Sequence, residues 1–377
     1  MLKARRLNGH KSALTCCIAS QVSPGIVASA AEDGCICLFD LRCKDIVFKI
    51  DVAKEPVTSL CFKSGNEDII YASSGSQISS FDIHMASTPK PLESYNYNKD
   101  EINQIAFSSK SYFLAAADDS GDVKIIDTHQ QSLYKTLRAV HTSICSTVQF
   151  LSWKPWTAMT GGLDSKLATW DFSKGRAYKI MDYGMPELDN KGSCNDAGKC
   201  FNPAFVHSIT VPEADMLAGL HKVCAVARGD GVVDLVEVES EPTSMKSRSS
   251  SHPKKGSQLR SKDSKMQTAN NLPTNQNPCK RMQLDYALGG HTAAVSCVSF
   301  SLFGERGRFL VSGGNDASVK LWDWSKHFEE LQTSSSRDTV MSINLTKKVN
   351  WLCTTPSDRE NLIVCDTSKV LKAYTIA

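Results

Sequence analysis

Three times along this 377-residue chain a histidine, a hydroxyl and an aspartate recur in the same order. They are His10, Ser29 and Asp33; His141, Thr160 and Asp164; and His291, Ser312 and Asp316. These are the residue types of nucleophilic acyl transfer, in which an aspartate orients an imidazole and the imidazole takes the hydroxyl proton. The spacing argues against that chemistry. In each set the aspartate follows the hydroxyl by four residues, and an aromatic residue follows the aspartate by six: Phe39, Trp170 and Trp322. A constellation copied at constant intervals belongs to the unit being copied, and no Gly-x-Ser-x-Gly elbow accompanies it. The same groups make a buried relay: the carboxylate fixes the imidazole tautomer, the imidazole meets the hydroxyl, and the hydroxyl meets an indole N–H. Phe39 lacks that N–H, so the first relay stops one bond short.

The elements that must hold these groups are legible from the same period. An aromatic–acid dipeptide, or a worn version of it, stands at Phe39-Asp40, Phe81-Asp82, Ile126-Asp127, Trp170-Asp171, Val236-Glu237, Trp322-Asp323 and Tyr374-Thr375. The first four lie 42, 45 and 44 residues apart, a period of ~40–45 residues that marks a repeated four-stranded unit. An apolar first strand opens each copy, as in Leu14 to Ile18, Cys145 to Phe150 and Val295 to Phe300. A second strand of small and aliphatic residues follows (Ile26 to Ala30, Leu114 to Ala117, Phe309 to Gly313), then turn signals such as Glu32-Asp33-Gly34. In the third copy Ser120 stands where the others place Asp, so its relay is lost or rewired.

In this register the chain resembles the WD-repeat family. The resemblance implies an all-β fold, a seven-bladed WD-repeat β-propeller spanning 1–377 as a single domain and acting as a binding platform. The last copy stops at Ile376, after its third strand, and Leu2 to Leu7 precede the first histidine where a fourth strand belongs. The propeller is therefore expected to be closed by the N-terminal strand, which removes an open sheet edge.

Composition narrows the class further. A hydrophobic fraction of 41% and an aromatic share of 8% suit a soluble β-rich protein. No charged-then-apolar leader and no apolar run of about 18 residues is present, so an intracellular protein of cytoplasm or nucleus, without membrane contact, is expected. Fourteen cysteines mostly lie inside apolar runs, where Cys is a small hydrophobe. Cys194 and Cys200 lack a second pair or a histidine cluster, so no zinc site, metal or cofactor is expected.

Two segments break the period. Residues 241–281 read as a disordered basic insertion between the third and fourth strands of blade 5. From Ser240 to Tyr286 there are nine Lys or Arg against three acids, which leaves the rest of the chain with 34 basic and 37 acidic residues. A solvated spacer is the preferred reading; an import signal at Lys254-Lys255, loose RNA or DNA contact and phosphorylation at Ser249 to Ser251 are alternatives. Without interleaved aromatics, specific nucleic-acid reading is disfavoured. Residues 184–203 read as a flexible loop on the opposite, upper face.

Partner surfaces follow from the resemblance. In this family the third residue of each first strand lines the central channel: Cys16, Ser59, Gln104, Thr147, Ser208, Cys297 and Trp351. Trp351 either plugs the channel or protrudes at its mouth. Phe39-Asp40-Leu41-Arg42 resembles the box by which some WD-repeat proteins dock on the DDB-type adaptor of cullin-four ubiquitin ligases. Several further segments, among them Glu101-Ile102-Asn103, Gly313-Gly314-Asn315-Asp316 and Lys348-Val349-Asn350-Trp351-Leu352, resemble one branch of the family over most of the chain. The implied role is a non-enzymatic, monomeric interaction scaffold without a small-molecule substrate. Asp40 and Arg42 would dock the adaptor, and upper-face loops carrying Lys11, Glu32, Arg138 and Trp351 would select a client protein. The alternative is a ribosome- or RNA-associated assembly factor using the basic loop.

Overall fold

The computed structural model describes residues 4–43, 45–85, 90–185, 200–213, 216, 222–239, 280–325 and 339–376. They form seven four-stranded antiparallel sheets. Blade 1 is Leu14–Ala19, Ile26–Ala31, Cys35–Asp40 and Ile46–Asp51; blade 4 is Cys145–Phe150, Thr157–Gly162, Lys166–Asp171 and Arg176–Asp182. Blades 2, 3, 5 and 6 repeat this order, beginning at Val57, Ile102, Val206 and Val295. Blade 7 takes Val349–Thr354, Leu362–Asp366 and Val370–Tyr374 from the C-terminal end and Arg5–Asn8 from the N-terminus. The register sets Arg5 opposite Ala373 and Leu7 opposite Leu371. Leu7 is 2% exposed and packs with Leu14, Phe39 and Leu371, so the closing strand is held by core burial as well as by its ladder.

The second strands are small because the blades pack close. Ala28, Ala115, Ala225, Gly161 and Gly313 occupy this layer. A Cβ added to Gly161 would stand 2.2 Å from a Val206 methyl, and one on Gly313 would stand 2.5 Å from a Val349 methyl. Each glycine therefore sets how near the following blade can come.

Every first strand bulges after its first residue. The bulge frees the second residue, and in six blades that side chain donates to the backbone carbonyl of the next blade's first residue. Thr15 donates to Val57 O (2.6 Å), Thr58 to Ile102 O (2.5 Å), Asn103 to Cys145 O (3.3 Å) and Ser146 to Val206 O. Ser296 donates to Val349 O (2.6 Å), and Asn350 carries the belt across the closure to Leu14 O (2.7 Å). His207 occupies the seventh position. Its imidazole has no such bond among the described residues, and burial holds its pKa below the ordinary value.

Six of the third residues are buried, and some bond across the seam to the next blade. Cys16, Ser59, Gln104, Thr147, Ser208 and Cys297 are all 5% exposed or less. Ser59 accepts the Ile105 amide of the next blade, and Thr147 accepts that of Ile209. Ser208 and Trp351 also border a cavity of about 280 Å³.

Candidate functional site

The three relays sit on one face, called upper here, where each histidine-bearing turn meets the turn between second and third strands. In blade 4, His141 Nδ1 lies 3.0 Å from Asp164 Oδ1 and Nε2 lies 2.7 Å from Thr160 Oγ1. Trp170 Nε1 donates to the same hydroxyl at 2.8 Å. Because that oxygen accepts from the indole, its own proton goes to Nε2, and the imidazole proton sits on Nδ1 facing the carboxylate. Blade 6 repeats this with His291, Ser312, Asp316 and Trp322, the indole bond being 2.9 Å. In blade 1, His10 meets Asp33 at 3.1 Å and Ser29 at 2.9 Å, and Phe39 adds no bond. The second oxygen of each carboxylate accepts a backbone amide, from Lys11, Thr142 and Thr292.

Electrostatics match the geometry. Burial pulls the His10 and His141 pKa values below the ordinary imidazole value, despite the aspartates beside them. Burial raises the carboxyls of Asp33 and Asp164, but the amides of Lys11 and Thr142 and the two imidazoles bring them net below the usual range. Ser29, Thr160 and Ser312 are fully buried, so no substrate reaches these hydroxyls.

Blade 3 is rewired. Asn98 takes the histidine position and donates to Asp118 Oδ2 at 2.8 Å, while Asp118 Oδ1 accepts the Ser120 amide at 3.1 Å. Aspartate has moved two residues upstream, and the amide side chain replaces imidazole.

At the opposite, lower corner of blade 1, Arg42 closes a bidentate pair on Asp40: Nε to Oδ1 at 2.9 Å and Nη2 to Oδ2 at 2.7 Å. Arg42 holds the Asp40 carboxyl below the usual range. The Arg42 side chain is 76% exposed, beside a cavity of about 480 Å³ shared with Val22, Val47, Phe48 and His84. The closing strand braces this turn: Arg5 donates to the carbonyls of Leu41 and Cys43 and pairs with Glu360 at 2.8 Å.

The residues expected to face a client do not converge. Lys11 and Glu32 are exposed on the upper face of blade 1, flanking the His10–Asp33 pair. Arg138 lies on the same face at blade 3, paired with Asp122 at 3.1 Å. Trp351 does not belong with them. It is half-buried, packs against the clusters of blades 1, 2, 6 and 7, and faces a cavity of about 280 Å³ bordered by Gln21, Ser109 and Glu213, at the lower mouth of the channel.

The loop boundaries also shift. Arg281 is the first residue of blade 5's outer strand and pairs with buried Asp234 at 2.8 Å. Most of 241–281 lies outside the described residues, as does 186–199 of the upper loop. Residues 286–288 form a 3₁₀ turn capped by Asp285, not a continuation of the strand. The twelve described cysteines are unbridged; burial pushes the Cys16 and Cys297 thiols up to about 12, which makes them poor nucleophiles. No helix among the described residues is long and apolar enough to cross a membrane.

The WD domain, G-beta repeat family matches residues 2–40, 89–127 and 282–323, the first and last of which carry two of these relays. The chain carries WD repeats. It is 25% identical over 393 residues to the WD repeat-containing protein 53 homolog of Dictyostelium discoideum, covering 98% of this chain and 94% of the relative. The branch resemblance noted in the sequence is to WD repeat-containing protein 53. The crystal structure of the WD40 beta propeller domain of Doa1 superposes with a TM-score of 0.68 at 14% identity, covering 100% of this chain and 97% of that one. That similarity speaks to the WD-repeat fold alone.

The sequence reading missed the belt of second residues. The signal was present, since Thr15, Thr58, Asn103, Ser146, His207, Ser296 and Asn350 are all polar or titratable at one register position. In an ordinary alternating strand such residues read as solvent-facing.

Proposed function

We propose that this protein is a non-enzymatic protein-interaction scaffold that docks on a DDB-type adaptor of a cullin-four ubiquitin ligase through Asp40 and Arg42. One observation carries the reading. The carboxylate of Asp40 fixes the Arg42 guanidinium in a fork that stays open to solvent at the edge of a groove lined by Val22, Val47 and Phe48 together with Glu67 and Asp68. A guanidinium held this way loses little freedom on binding and presents its remaining donors to a carbonyl or carboxylate. Similarity to WD repeat-containing protein 53 supports the class of scaffold, and sealing of every relay hydroxyl inside a blade supports the absence of catalysis. Lys11, Glu32 and Arg138 on the upper face remain the proposed client side.

Adaptor capture on the full chain tests this. Arg42→Ala is expected to weaken it by at least roughly tenfold, with binding to the wild type unchanged by nuclease. Nuclease-sensitive association lost on excision of 241–279 supports the RNA-associated alternative instead.

A further inference from the structure

A second lower-face corner, between blades 3 and 4, presents an aromatic surface that neither the relays nor Arg42 use. Trp156 stands at its edge, 47% exposed, with ring centroids 5.4 Å from Phe113, 5.5 Å from Phe172 and 6.1 Å from Tyr134. Its backbone is left-handed, with φ of 61°, a region that disfavours bulky side chains.

Blades 2, 3 and 5 fill the corresponding position with Asp68, Tyr112 and Lys222 and no left-handed backbone, whereas blade 1, like blade 4, turns left-handed there. Gly25 and Trp156 each precede the second strand, and each accepts an amide from two residues past the aromatic of the aromatic–acid pair, Leu41 to Gly25 and Phe172 to Trp156. Gly25 has φ of 96°. A glycine fits the turn without strain; blade 4 carries the largest side chain there instead and leaves half of it in water. Packing alone does not explain a strained, exposed indole, and strain of this kind points to a function for the side chain.

The surroundings define what it would bind. Beneath Trp156 a cavity of about 160 Å³ is walled by Phe113, Phe150, Leu151 and Phe172, a volume close to one that accommodates a benzene ring. Lys110 and Lys154 border that cavity; Lys135 lies 5.8 Å from the Tyr134 ring and Lys174 is 72% exposed. The carboxylates of this corner, Asp127 and Asp171, already accept local donors: the His129 and Gln130 amides, and the Ser173 hydroxyl and Lys174 amide. Lys154 and Lys174 make surface ion pairs with Glu239 and Asp171, which a partner's carboxylates can exchange, and Lys154 also lies 5.1 Å from the Tyr178 ring centroid. We infer that this corner is a docking site for an acidic linear peptide carrying one aromatic side chain, the ring seated beside Trp156 and the flanking acids on the lysines. The site is independent of the Arg42 reading.

The test uses the full chain and a synthetic peptide holding one phenylalanine between two runs of glutamate, followed by calorimetry. Binding that weakens with salt, falls about thirtyfold when the phenylalanine is replaced by alanine, and fails with lysine runs is expected. Trp156→Gly should lose binding to the same extent while melting at or above the wild-type temperature, and should still capture the adaptor. Lys154→Glu should weaken binding without changing the melt. The inference is overturned if the glutamate peptide does not bind, if the lysine peptide or an RNA of similar length binds equally well, or if Trp156→Gly unfolds the protein or binds as wild type does.

Discussion

Blades 1 and 4 carry the same histidine, hydroxyl and aspartate at the same spacing, and differ in what surrounds them. On the upper face the difference is one bond: Trp170 donates to Thr160, while Phe39 leaves Ser29 without an indole partner. On the lower face the difference is wholesale. Blade 1 turns on Gly25 and displays Arg42; blade 4 turns on Trp156 and displays an aromatic surface. The repeated interior therefore specifies the blade, and the lower corners, free of the relay, are where the copies have diverged into distinct surfaces.

The closing strand gives the largest expected effect. Removing residues 1–8 strips the edge of blade 7, buried Leu7 and the Arg5 brace beneath Arg42, and should lower stability by at least about 3 kcal/mol. Blade 4, whose four strands are continuous in sequence, feels this only through the ring. A chemical denaturation curve that matches wild type would break the closure argument.

Next come the relays themselves. Asp33→Ala and Asp164→Ala each leave a buried imidazole N–H and a backbone amide unpaired, an expected loss of about 2–3 kcal/mol apiece in denaturant titrations. Nearly equal losses would show that the two relays share one role. Trp170→Phe converts blade 4 to the blade 1 pattern and should cost about 1 kcal/mol; a loss as large as that of Asp164→Ala would mean the indole bond, not the carboxylate, anchors the relay.

Acid sensitivity sharpens the comparison further. His10 and His141 have folded pKa values below their unfolded ones, so the unfolded chain takes up protons first as pH falls below about 6.5. The stability they contribute is complete above that value and is lost as pH falls through the folded values. Asp33 and Asp164, also lowered, add a second loss below about pH 4. Melting temperatures that rise on mild acidification would contradict the histidine assignment. The smallest effect is expected from excising 241–279, which spares Arg281 and its bond to Asp234; thermal melts should be unchanged within about 0.5 kcal/mol.

What the sequence disclosed, and what it concealed, follows from the same division. The relays of blades 1, 4 and 6 are legible because a hydrogen-bonded chain of four groups tolerates few residue types at fixed offsets. Closure is legible because a four-strand period leaves blade 7 one strand short and the N-terminus one strand long. The seam bond of Thr147 and the belt through Asn350 were hidden by a bulge, which adds one residue and changes the facing of those after it. The left-handed turn at Trp156 left no trace, since nothing in its neighbours' types demands a glycine there.

The division between interior and corner is tested most directly within blade 1, by measuring melting temperature and adaptor capture on Arg42→Ala and Asp33→Ala side by side. Arg42→Ala should melt as wild type does and lose capture, while Asp33→Ala should melt earlier and, below its melt, capture as before. An Arg42→Ala protein that is destabilised, or one that binds the adaptor undiminished, would contradict the account.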